Sequence, residues 1–169
     1  MDLRGVFEKL NRLAAVAGRA AARIGIPAMV ALFAFEPVAR WLRVPTGGAP
    51  GDFATLLFFA VVMLGFGYGY AEDAHVRIDV LSRRFSPRTR AIIELAGILL
   101  VLTPLCVAII AYGADSAWRS FLQGETFGDS GLALQWIVRA LAPLGFALLL
   151  AAGLANAARA FRFIFRREP

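Results

Sequence analysis

The chain has 169 residues, 59% of them hydrophobic and only 18% charged, with a formal net charge of +6 and a mean hydropathy of +0.67. A water-soluble domain is close to half apolar and about a quarter charged, so this balance excludes one, and the 12% aromatic content with 14 Phe excludes disorder. One Cys (Cys106) and one His (His75) exclude a bis-histidine haem, a zinc site of Cys and His ligands and an internal disulfide by count alone.

The apolar residues are collected into runs, and the predicted elements follow in chain order. Over residues 1–23, Leu3, Val6, Phe7, Leu10, Leu13 and Ala14 recur at helical spacing, with Arg4, Glu8, Lys9 and Asn11 around the rest of the wheel. This predicts an amphipathic helix lying on the inner face of a membrane or on a partner subunit. Five cations and no compact apolar core argue against a cleavable signal in this stretch. The first predicted span covers about 24–42. Its charge-free part, Ile24 to Phe35, is short, so Arg23 and Arg40 are expected to snorkel to opposite interfaces. The second span, 53–70, carries no charge and reaches roughly 27 Å at about 1.5 Å per residue, close to the hydrocarbon thickness. It ends in glycines, and Gly65 with Gly69 forms a small-xxx-small pair suited to close helix packing, within this subunit or against a partner. Gly153 and Ala157 repeat the pattern in the fourth span.

Residues 71–90 read as a short structured cytoplasmic elbow, with Asp73 and Arg77, and Asp79 and Arg83, one helical turn apart. His75, with no second ligand type nearby except carboxylates, is expected to serve a structural hydrogen bond. Ser86 is a cap with Pro87 in the first helical position, opening a third span at 91–112 in which Cys106 is a small buried hydrophobe. Residues 113–139 form the largest predicted loop. Its glycines and short polar side chains make an exposed turn, and Asp115, Glu125 and Asp129 give it a mildly negative character suited to docking. The fourth span, 140–158, holds Asn156 as its one strongly polar side chain.

Orientation follows from the cations. Five lie before the first span, five in the second loop and four in the C-terminal tail, against two each in the first and third loops, so fourteen of eighteen fall on one side. That side is expected to be cytoplasmic, with both termini inside. Trp41, Trp118 and Trp136 then all fall at outer span ends, as an aromatic belt requires. The basic residues flank apolar spans, where anionic lipid and the membrane potential account for them, so nucleic acid is not an expected partner.

Ionisable groups within the spans are few. Glu36 precedes Arg40 by four residues and Glu94 follows Arg90 by four, so each carboxylate reads as half of an interfacial pair near a span end. The competing reading is a self-sufficient small dimeric transporter with Glu36 or Glu94 as the coupling carboxylate. A membrane enzyme would need a clustered polar site, and the spans offer none; no catalytic residue, metal site or cofactor is expected.

Several stretches together resemble the small membrane subunit of tripartite ATP-independent periplasmic (TRAP) transporters. They are His75-Val76-Arg77-Ile78-Asp79-Val80 after the second span, Ser86-Pro87-Arg88-Thr89-Arg90-Ala91 opening the third, Gly124-Glu125 in the outer loop, and Trp136 with Arg139 before Pro143-Leu144-Gly145-Phe146. The resemblance covers about 53–159, and departs from the family in a lengthened outer turn after Glu125 and in Ala151-Ala152 before Gly153. It implies an all-α protein of the bacterial inner membrane with four transmembrane helices, bound to a large permease subunit that carries the substrate and sodium sites and moves as an elevator. It also implies a soluble periplasmic binding protein that delivers the substrate, usually an organic acid, for import on the sodium gradient. On this reading His75, Arg77, Asp79, Pro87 and Arg90 are family motif positions, and Glu125, Asp129, Trp136 and Arg139 lie on the periplasmic docking face.

Overall fold

A computed structural model describes residues 18–71 and 85–165, together with Arg12 and Val16. These form four helices: α1 (Gly18–Trp41), α2 (Ala49–Ala71), α3 (Pro87–Gln123) and α4 (Gln135–Phe165). All four are long and apolar enough to cross a membrane. Among the described residues there is no strand, only an isolated antiparallel pairing of Phe127 with Leu132. Most of the expected amphipathic segment, and the elbow positions His75, Arg77 and Asp79, lie outside the described residues. Gly18 to Arg23, assigned from sequence to that segment, already belong to α1.

Local chemistry sets the helix ends and their irregularities. Ser86 is extended (φ −62°, ψ 154°) and its Oγ accepts from the Thr89 amide at 3.2 Å, with Pro87 in the first turn, so α3 starts where the cap was expected. It ends at Gly124 (φ 61°), beyond which the Glu125 amide reaches back to the Ser120 carbonyl at 3.2 Å. This is the left-handed closure that glycine permits. α1 closes in the same way, with Val44 N–H donating to Ala39 O at 2.9 Å, but places Arg43 in the left-handed conformation (φ 56°).

Two helices widen to a π turn just before a proline. Ala21–Gly25 precedes Pro27 in α1, and Ile98–Leu102 precedes Pro104 in α3. A proline ring inside a regular helix collides with the carbonyl four residues back; the extra residue of a π turn moves that carbonyl aside. In α3 the Ile98 carbonyl is then used twice, by the Thr103 amide and by Thr103 Oγ1 at 2.8 Å.

The helices pack in the order α1–α2–α4–α3, with α1 resting on α2 and α4 seated between α2 and α3. This is a row, not a closed bundle. Contact is made through small residues: the buried apolar set is dominated by Ala39, Ala54, Ala91, Ala117, Ala152, Ala157 and Ala160. At Gly145 of α4 the approach is close enough that a Cβ would sit 2.5 Å from the Met63 carbonyl oxygen of α2. Phe66 and Phe146 meet edge to face across the same helix pair, at 5.7 Å. Larger side chains point outward; Ile24 is 71% exposed and Leu100 76%. Such faces are stable against hydrocarbon and not against water, so the chain is a multi-pass membrane protein.

At 37 residues α3 is about 55 Å long, well beyond a hydrocarbon core of about 30 Å. It runs on for three turns past Tyr112, and α4 starts at Gln135, so of the region 113–139 only 124–134 is non-helical. The polar residues that signal a loop in the sequence instead line one side of a continuing helix. Asp115 and Arg119 pair at 2.9 Å on the exposed face, while Ala117 and Ser120 are buried.

Candidate docking site at the loop end of the helices

The loop 124–134 is short and anchored at two points. The first anchor is a polar knot between α3 and α4. Glu125 Oε2 accepts from Arg139 at 2.7 Å and from the hydroxyl of Ser120, also at 2.7 Å. The second arm of the Arg139 guanidinium donates to Ser116 Oγ at 3.3 Å. Ser120 is fully buried, and the Glu125 and Arg139 side chains are each about one-third exposed. A half-shielded pair with a buried hydroxyl on the carboxylate is held far better than a free surface pair.

The second anchor comes from α2. Asp52, in the first turn of that helix, accepts from the Ser130 amide at 2.7 Å through Oδ2 and from the Asp129 amide at 3.3 Å through Oδ1. The preceding residue, Gly128, has φ 65° and no room for a side chain: a Cβ there would overlap the Asp52 carboxylate. The loop closes on itself through Phe127 N–H to Leu132 O at 2.9 Å. Beside it runs an aromatic ladder. Trp118 stacks on Phe121 at 5.9 Å, and Phe121 meets Trp136 edge to face at 5.5 Å. Below the ladder, an apolar groove of about 640 Å³ opens between α3 and α4, bordered by Trp118, Trp136, Pro143 and Leu144.

Of the residues singled out in the sequence, Glu125 and Arg139 are therefore joined directly, Trp136 stands beside them partly exposed, and Asp129 is exposed with its amide held by Asp52. Sequence reasoning passed over Asp52, Ser116 and Ser120. The use of Asp52 as a clamp depends on a loop 77 residues away, which no local pattern reveals. Ser116 and Ser120 follow Asp115 and were read as loop, although their spacing of four is that of one helix face.

The remaining positions are spread out. Pro87 and Arg90 occupy the first turn of α3, where Arg90 Nε donates to the Phe85 carbonyl at 3.2 Å. Among the described residues no atom lies within 4 Å of where a Cβ on Gly65 or Gly69 would be, whereas Gly153 abuts Leu102 of the same chain. Glu36 pairs with Arg40 at 2.9 Å and lies against Gly51 of α2, at the loop end. Glu94 lies at the other end, in a groove with Arg90, Asn156 and Arg159. The two carboxylates thus share no site. Among the described residues no cluster of three metal-ligating side chains occurs.

The family described as tripartite ATP-independent periplasmic transporters, DctQ component, matches residues 19–163. That range takes in α1 to α4 and the loop 124–134, and extends further toward the N-terminus than the stretches that carried the resemblance. No curated protein and no solved structure gives a match. With four spanning helices in place and the match covering nearly all of them, the chain belongs to the DctQ family, the small permease component of TRAP transporters.

Proposed function

We propose that this subunit scaffolds a large elevator-type permease subunit in the bacterial inner membrane, for sodium-driven uptake of an organic acid delivered by a periplasmic binding protein. The observation that carries the proposal is the open row α1–α2–α4–α3, whose exposed apolar faces are broad and poor in charge. A row of this kind enlarges a stationary wall, and its described residues enclose no polar path. Gly65 and Gly69, with no described atom within 4 Å of a Cβ there, suit a partner helix, while Gly153 packs on Leu102 within the subunit. The anchored loop, with Glu125, Asp129, Trp136 and Arg139, suits contact with a soluble protein. The cation distribution favours a cytoplasmic location for both termini and for the elbow containing His75, Arg77 and Asp79, which then meets headgroups or the partner together with Pro87 and Arg90.

Reconstitution tests the proposal. The chain alone in liposomes is expected to transport nothing, with sodium-dependent uptake appearing only when the large subunit and the binding protein are added. Robust transport by the chain alone, abolished by Glu94→Gln or Glu36→Gln, would establish the self-sufficient alternative instead. Cysteines placed at Ser130 and Ser82 are labelled from outside and inside respectively; the reverse pattern would overturn the orientation.

A further inference from the structure

At the end of the helices opposite the loop, the start of α3 and the end of α4 enclose a groove of about 420 Å³. Arg90 enters it from the first turn of α3 and Arg159 from α4, with Glu94 as the one carboxylate among the described lining residues. Two guanidiniums against one carboxylate leave a positive surplus, and the N-terminal end of α3 at Pro87 adds its dipole in the same sense. Asn156, only 6% exposed, accepts a hydrogen bond from Arg159 through Oδ1 and so fixes the guanidinium at the groove. Arg90 spends one of its five N–H donors on the Phe85 carbonyl. The floor is apolar, formed by Ala91 and Ala160, and at the mouth Phe163 is 57% exposed.

A soluble anion would use the two arginines and leave the apolar mouth idle. A zwitterionic headgroup brings its own cation and gains little from the surplus charge. An anionic phospholipid satisfies both features, with its phosphodiester on the guanidiniums and its acyl chains continuing past Phe163 along the outer face of the helices. The groove lies one turn inside the start of α3 and under two turns from the end of α4, where the spans expected from the sequence, 91–112 and 140–158, meet the headgroup layer. Basic pockets between transmembrane helices recognise lipid phosphates in this manner.

We infer that the groove between Arg90 and Arg159 is a binding site for an anionic phospholipid of the phosphatidylglycerol or cardiolipin type. The inference rests on the membrane placement of α3 and α4 and not on the identity of the transported substrate. The test uses the full chain in nanodiscs of phosphatidylcholine with and without phosphatidylglycerol. Native mass spectrometry of the released protein is expected to show phosphatidylglycerol retained over phosphatidylcholine. Retention falls about 5-fold for Arg90→Gln or Arg159→Gln and roughly 30-fold for the pair, while Arg119→Gln at the opposite end leaves it unchanged. Hydrogen exchange of the unaltered chain, which needs no variant to fold, slows at 87–94 and 156–163 in the anionic discs only. Equal retention of the two lipids, insensitivity to both arginine variants, unchanged exchange at those segments, or displacement by millimolar inorganic phosphate would each overturn the assignment. Sodium-dependent uptake by the assembled transporter in phosphatidylcholine alone reports on the scaffold proposal separately.

Discussion

The clamp between Asp52 and the loop offers a double-mutant cycle with a magnitude set by the structure. In the native chain the Asp52 carboxylate holds the Ser130 amide at 2.7 Å and the Asp129 amide at 3.3 Å. Bonds to a charged acceptor contribute about 1.5–3 kcal/mol each when well made; the longer one and the partial exposure of Asp52 bring the pair to about 2–3 kcal/mol. Asp52→Ala is therefore expected to speed hydrogen exchange at Asp129 and Ser130 by roughly 30- to 150-fold, with the helices unaffected. Gly128→Ala acts twice. It places an L side chain at φ 65°, at about 1 kcal/mol, and its Cβ displaces the Asp52 carboxylate, so its full effect is about 3–4 kcal/mol. Once Asp52 is already Ala, the same substitution retains only the conformational part, a further increase of about 5-fold. Purely additive effects of the two substitutions would refute the reasoning, because they would mean that Gly128 is required by backbone conformation alone.

Other substitutions separate internal packing from partner packing. Gly145→Ala brings a Cβ within 2.5 Å of the Met63 carbonyl oxygen, a backbone atom that cannot swing away; a loss of about 1–3 kcal/mol is expected in thermal or denaturant melts of the purified chain in detergent. Gly65→Ala and Gly69→Ala, with no described atom within 4 Å, should leave those melts unchanged while weakening co-purification with the large subunit. Arg139→Ala leaves Glu125 and the buried Ser120 hydroxyl without their cation, at about 1–2 kcal/mol after allowance for partial exposure. Arg139→Lys recovers part of this, since an ammonium lacks the planar fork that reaches Glu125 and Ser116 together. Thr103→Val removes the hydroxyl donor to Ile98 O, a loss of about 1 kcal/mol in the same melts.

The two ends of the molecule differ in how their polar groups are used. At the loop end, polar side chains pair with one another: Glu125 with Arg139 and Ser120, Asp52 with the loop amides. This stiffens the loop, and on the proposed function it limits the ordering cost of binding a soluble partner there. At the other end, arginines line a groove against an apolar floor, an arrangement suited to a ligand that is itself half charged and half apolar. Among the described residues the carboxylates Glu36 and Glu94 lie toward opposite ends of the helices.

Much of the architecture is written locally. A run such as Phe53 to Phe66 has one low-energy state in hydrocarbon, because only a helix satisfies its backbone polar groups within the segment. Four such runs therefore specify four spanning helices without knowledge of their neighbours. Ser86 with Pro87 likewise marks the start of α3, since a cap depends only on adjacent residues. Tertiary structure decided what depends on distant residues. Asp115 and Arg119 lower the hydropathy of their segment and suggest a loop, but the helix persists because Ala117 and Ser120 bury their face beyond the span. The order α1–α2–α4–α3 rests on which small residues meet, and hydropathy is blind to that in lipid, where all faces are apolar. The apolar, basic composition thus determined that the protein crosses a membrane four times. Only the packed helices brought Asp52 to Ser130 and Arg90 to Arg159, because the two pairings join residues 78 and 69 positions apart whose meeting is set by helix order and not by local pattern.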